Sequence, residues 1–125
     1  MATAKATNEQ FPVRLTSADL RELVHGADWE WAFQAMEDDN VTPIDTTSWT
    51  CDIYLLESEN GEEYEHLTIG DGITMTAASG LFLVEIDDAV IDTYNFRSCI
   101  FKVIVTDNNS KKIPYFLGML TFAQV

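Results

Sequence analysis

The sequence predicts an all-β fold: an immunoglobulin-like antiparallel β-sandwich of about seven or eight strands, with a short N-terminal helix and arm. Three observations point there. Apolar residues recur at alternate positions through most of the chain, turn-forming residues interrupt it at regular spacing, and few segments keep a helical period. A partly open barrel would give the same periodicity.

Residues 1–15 are small and polar apart from "FPV" and read as an N-terminal arm; residues 16–125 read as one β-sandwich domain. "TSADLRELVHG" predicts a helix over 17–25, capped by Thr16 or Ser17, with Asp19 and Glu22 in its early turns and Gly26 at its end. Leu20, Leu23 and Val24 form its apolar stripe. From residue 28 the period becomes two, with Trp29, Trp31, Phe33 and Ala35 on one face and Asp28, Glu30 and Gln34 on the other. "EDDNVTP" is a loop, and Trp49, Cys51, Ile53 and Leu55 then alternate with Thr50, Asp52 and Tyr54. "ESENGEE" is a charged turn around Asn60-Gly61. Strands follow at "YEHLTI", "GITMT" and "GLFLVEI", then a helical turn or irregular connection at "DDAVIDTYN". "CIFKVIV" and "IPYFLGMLTF", joined by "DNNSKK", close the chain. The alternation sends the three tryptophans to the core and the intervening carboxylates to solvent.

A chain of 125 residues with 46% apolar content can bury one real core. Its formal charge of −14 disfavours nucleic acid and anionic membrane as partners, and suits a partner with a basic patch. No apolar run is long enough to span a membrane, and "MATAKATNEQFPVRLTS" lacks a signal-peptide core. A cytoplasmic site of synthesis is therefore expected, with Cys51 and Cys99 as buried reduced thiols; a disulfide between them is the geometric alternative.

Chemistry has little to work with. "DDNVTPID" lacks the ligand spacing of an EF-hand loop, and two distant histidines with two core-facing cysteines make no zinc motif. Glu57, Glu59, Glu62, Glu63 and Glu65 lie in a charged hairpin where nothing predicts the shifted pKa that a catalytic carboxylate needs. Glycine-rich phosphate loops and a serine nucleophile elbow are absent from the sequence. No enzyme activity, metal or cofactor is expected.

The later strands are apolar on both faces. Leu81 and Leu83 oppose Phe82, Val84 and Ile86; Ile100 and Ile104 oppose the Cys99 face; Tyr115, Leu117 and Met119 oppose Phe116, Leu120 and Phe122. A sandwich buries only one face of each sheet, so something must cover the other. Either the 17–25 helix lies over it, or Leu81, Leu83, Ile100, Ile104, Tyr115, Leu117 and Met119 form an oligomer or partner interface.

"VHGADWEWAFQAMEDDNVTPIDTTSWTCDIYL" resembles the opening of small immunoglobulin-like domains of bacteriophage tail and baseplate structural proteins, including the upper-baseplate type. Gly26, Asp28 and Trp29 match that family's glycine-acidic-aromatic start. Pro43, Asp45, Thr46, Trp49 and Thr50 match its "P-x-D-L-T-G-W/Y-T" step, although Thr47-Ser48 replaces the usual residues before the aromatic. "ITMTAASGLFLVEIDDAVIDTYNF" and the final hairpin ending on Gly118 continue the likeness, which spans about residues 24 to 122. The resemblance implies a virion structural protein without catalytic activity, a tail, neck or baseplate adaptor that bridges larger components or supports fibre attachment. It further implies a homo-oligomer in a symmetric array, made in the host cytoplasm and resident in the virion among other virion proteins. The N-terminal arm would order on docking. With Val125 directly after the last strand, no fibre or receptor-binding module is expected. Recurrence of Asp28 and Asp45 in the pattern marks them as candidates for ordering turns by side-chain hydrogen bonds.

Two other functions share this fold class. A capsid decoration protein would have the same composition. A carbohydrate- or surface-binding module would need Trp29, Trp31, Trp49 or Tyr54 on an exposed flat face, whereas alternation sends only Tyr54 outward.

Overall fold

The computed structural model describes residues 4–7, 13–37, 39, 41–58 and 61–123; Asn60 of the charged turn and Asp38 and Asn40 of the acidic loop lie outside them. The strands are β1 (Ala4–Thr7), β2 (Val13–Leu15), β3 (Trp29–Met36), β4 (Thr50–Leu56), β5 (Glu63–Ile69), β6 (Gly72–Thr76), β7 (Leu81–Ile86), β8 (Ser98–Thr106) and β9 (Lys112–Thr121). Helical structure among the described residues is limited to α1 (Ser17–Leu20), α2 (Asp88–Ile91) and a 3₁₀ turn at Ala77–Ser79.

The all-β expectation is met, but the two-sheet sandwich is not. All nine strands belong to one hydrogen-bonded sheet, in the order β1-β3-β7-β6-β5-β4-β8-β9-β2. The β3 and β4 runs are adjacent in sequence but not paired: β3 pairs with β7, and β4 lies between β5 and β8. Nor is the sheet wholly antiparallel, since β1–β3, β2–β9 and β5–β6 run parallel. The sheet curls until its two ends meet through side chains. From β3, Trp31 sets its ring 5.3 Å from Phe101 of β8 and 5.2 Å from Phe116 of β9, both nearly perpendicular. Phe33 stacks on Phe82 of β7 at 4.6 Å and meets Phe116 edge-on. One inner face therefore supplies the whole core of a nearly closed barrel.

Residues 4–7 and 13–15 provide both edges of the sheet. β1 lies beside β3 and β2 beside β9, so consecutive strands sit at opposite ends of the strand order. The approach of β2 depends on Gly118, which is in register with Leu15. A Cβ there would lie 2.8 Å from both the Cβ and the carbonyl oxygen of Leu15. At the other tight corner, Gly70 (φ +90°) and Gly72 (φ +98°) let β5 turn directly into β6.

The helix expected over 17–25 is a single turn. Asp19 and Thr16 cap it reciprocally, with the Thr16 amide donating to Asp19 Oδ2 at 2.8 Å. It does not continue because the Leu23 amide donates to the Thr121 carbonyl at 2.8 Å instead of back into a helix, while the indole Nε1 of Trp29 donates to the Leu20 carbonyl at 3.0 Å. Arg21 then takes a positive φ of 63°, and Leu23 bridges to Phe122 beside β9. Leu20 and Leu23 are fully buried in the barrel core, whereas Val24 is 40% exposed. This turn closes one end of the core and does not cover the outer face of the sheet.

Candidate functional site

The strand alternation places most of the doubled apolar residues as their spacing predicts, with one exception. β8 and β9 shift register between Val103 and Ile104: Val103 pairs with Phe116 and Ile104 with Pro114, leaving Tyr115 as an extra residue. Tyr115 and Phe116 consequently both point inward and both are fully buried. Burial pushes the Tyr115 hydroxyl well above its ordinary pKa, with Asp107, Cys51 and Glu37 adding to the effect. Tyr115 thus belongs to the core, apart from the outward-facing Leu117 and Met119.

The remaining candidates divide between two regions of the curled sheet. Leu81 and Leu83 are half-buried on β7, in register with Gln34 and Ala32 of β3. Ile100, Ile104, Leu117 and Met119 lie together on the outside of β8 and β9. Their rows follow from the register. Ile100 is opposite Met119, which is 49% exposed. Leu117 sits between Lys102 of β8 and Arg14 of β2, and Lys102 is in turn opposite Tyr54 of β4. Ile104 has Pro114 on one side and Asp52 on the other. The result is an apolar surface that carries two cations, Arg14 and Lys102, one on each side of Leu117, in a chain of net charge −14.

The β3–β7 wall has the opposite character. Glu30 and Glu85 are both exposed and stand directly across from each other. A like-charge cross-strand pair is unfavourable in an isolated sheet. Asp28, Asp87 and Asp88 continue the negative charge at the same end.

Bordering the apolar surface, Asp52 Oδ1 lies 2.8 Å from Nε2 of His66, and the Tyr54 ring stacks on the imidazole at 4.4 Å and 15°. This pairing has no local signal, because Asp52 and His66 meet only through the β4–β5 register. The group sits on an open sheet face, and alternation turns the neighbouring Cys51 to the opposite side. Both cysteines are free and buried: burial drives the Cys51 thiol strongly upward and the Cys99 thiol up to about 12. Cys51 is opposite Val105, at the far end of β8 from Cys99. Neither thiol is poised as a nucleophile.

The turn carboxylates serve the backbone. Asp45 Oδ1 accepts from the Thr47 amide at 3.0 Å and from its hydroxyl, and these bonds hold the Asp45 carboxyl below its ordinary pKa. Asp39 accepts from the amides of Thr42 and Val41 at 2.9 and 2.8 Å, with the same effect. Asp28 reaches farther, accepting the Asp88 amide at 2.8 Å and so tying the start of β3 to α2. Among the described residues no group of three or more His, Cys, Asp or Glu side chains is arranged to hold a metal ion.

No protein-family model matches the chain, and no curated protein matches it. Among solved structures it is similar to the N-terminal domain of phage TP901-1 ORF48, at 14% identity and a TM-score of 0.45, covering 94% of this chain and 90% of that one.

Proposed function

We propose that this chain is a non-enzymatic structural subunit of a bacteriophage particle, a tail, neck or baseplate adaptor. It would be made in the host cytoplasm and reside in the virion, where it bridges larger components as one member of a symmetric array. The phage context rests on the sequence resemblance over about residues 24 to 122. The observation that carries the docking role is the outer surface of β8, β9 and β2. There Ile100, Ile104, Leu117 and Met119 are outward-facing apolar residues with Arg14 and Lys102 among them. Its natural occupant is a second copy of the chain, because the Glu30–Glu85 wall offers the opposite charge on a different part of the barrel. Two unlike surfaces of one molecule that complement each other generate head-to-tail contacts, which form a ring when the rotation between copies closes and a filament when it does not.

Leu117→Ser with Met119→Ser tests this reading. The double variant should melt close to the wild type and remain monomeric in sedimentation runs where the wild type assembles. Assembly at wild-type strength would show that this surface is not the contact; an unfolded variant would show that the two residues belong to an inner layer.

A further inference from the structure

A separate groove lies at the end of the barrel closed by the 92–98 segment, and its lining differs in kind from the docking face. An open cavity of about 1000 Å³ is bounded by His25, Asp92, Asn95, Phe96, Arg97 and Phe122. A second cavity of about 370 Å³ adjoins it across Tyr94, Asn95 and Phe96 and reaches Tyr64. The size is that of a small-molecule site.

Its rings are arranged in flat pairs. His25 stacks on Phe122 at 4.4 Å and 13°, and Tyr64 stacks on Phe96 at 4.6 Å and 10°. Tyr64 reaches this position because β4 and β5 shift register between Leu55 and Leu56, leaving it as the extra residue of a bulge. Tyr94, buried beneath, joins the pairs and donates its hydroxyl to Glu65 at 3.1 Å, which fixes the platform from below.

Polar groups rim the platform. Asp92 Oδ1 accepts the Gly26 amide at 2.8 Å and lies 3.6 Å from Nδ1 of His25, and among the described residues no hydrogen bond engages its Oδ2. Among the described residues the side chains of Asn95 and Arg97 form no hydrogen bond or ion pair with the chain, although each has planar donors at the groove edge. Glu22, Asp92 and Arg97 all line the groove, so the rim mixes both signs.

We propose that this groove binds an uncharged saccharide. His25 and Tyr64 are the exposed members of the two ring pairs; aromatic rings of that kind suit the C–H face of a sugar ring, and a carboxylate, an amide and a guanidinium suit vicinal hydroxyls, which both donate and accept. A rim of both signs gives no net preference for a charged ligand, and the −14 of the chain as a whole repels anionic ones. The tryptophans and Tyr54 that a sequence reading would nominate for glycan stacking have no part in it: the tryptophans are buried, and Tyr54 lies on β4, outside the lining of either cavity.

The test is an amide-resolved NMR titration of the full chain with neutral trisaccharides of glucose, galactose, mannose and N-acetylglucosamine, each to about 10 mM. At least one should shift amides of residues 22–26, 64 and 92–98, with Tyr64→Ala and Asn95→Ala each weakening it about tenfold or more. Both residues are exposed, so a dispersed, folded spectrum of each free variant, shifted only near the substitution, separates lost binding from lost fold. No shift with any of the four sugars, shifts confined to other surfaces, or full affinity in both variants would overturn the proposal. Oligomeric state is a separate readout, and Tyr64→Ala should leave it unchanged.

Discussion

Trp31 is the residue on which the two ends of the sheet meet, touching Phe33, Phe101 and Phe116 at ring distances of 5.2–5.5 Å while 1% exposed. Trp31→Ala should cost about 3–5 kcal/mol in urea unfolding, and a change within error would remove it from the core. The turn acids make a different prediction. Asp19, Asp39 and Asp45 are held below the usual carboxylate range by hydrogen bonds, led by the Thr16 amide, the Thr42 amide and the Thr47 hydroxyl respectively. A folded pKa below the unfolded one means stabilisation that is complete above the unfolded value, about 3.9, and lost as pH falls through the folded value. Urea midpoints should therefore decline below about pH 4, and Asp39→Asn should make that decline shallower. An identical acid limb in the variant would show that the Asp39 bonds do not form. These roles were half legible in the sequence: Asp and Asn in loops announce turns, but that Asp28 would hold an amide sixty positions away, that of Asp88, could not be read from its neighbours.

At the scale of elements, the strands that follow strict alternation were legible, and those with an extra residue were not. β3 places Trp29, Trp31, Phe33 and Ala35 inward as its period demands. A bulge shifts everything beyond it by one face, which is why Tyr115 belongs to the core and Tyr64 to the groove. Nothing in "IPYFLGM" or "EEYEHL" marks the extra residue, because both neighbours are apolar or both polar. The 17–25 helix failed for a tertiary reason, the Leu23 amide donating to the Thr121 carbonyl at the end of β9. Gly118 yields the prediction proper to this scale. Gly118→Val would collide with Leu15 and displace β2, so the amides of Val13–Leu15 should lose hydrogen-exchange protection while β3–β7 keep theirs. Undiminished protection over 13–15 would contradict the close approach.

For the whole molecule, closure was the least legible feature. Composition and period supported either a sandwich or a barrel, and only the pairing of β3 with β7, together with β1 and β2 at the two edges, decides for one curled sheet. Those contacts join residues far apart in sequence, to which a local period is blind. Curling also separates the apolar residues into two regions and sets the Arg14–Lys102 row on a different wall from Glu30 and Glu85. A net charge of −14 alone would predict only repulsion between copies; the uneven placement of the few cations is what permits an oriented contact.

That contact is tested most directly by the native mass of the purified chain across a concentration series at about 0.05 M and about 1 M salt, since the higher salt shortens the screening length to about 3 Å. A defined oligomer is expected at low salt, weakening at high salt and absent in the Leu117→Ser, Met119→Ser variant. A wild-type chain that stays monomeric at every concentration and salt would contradict it.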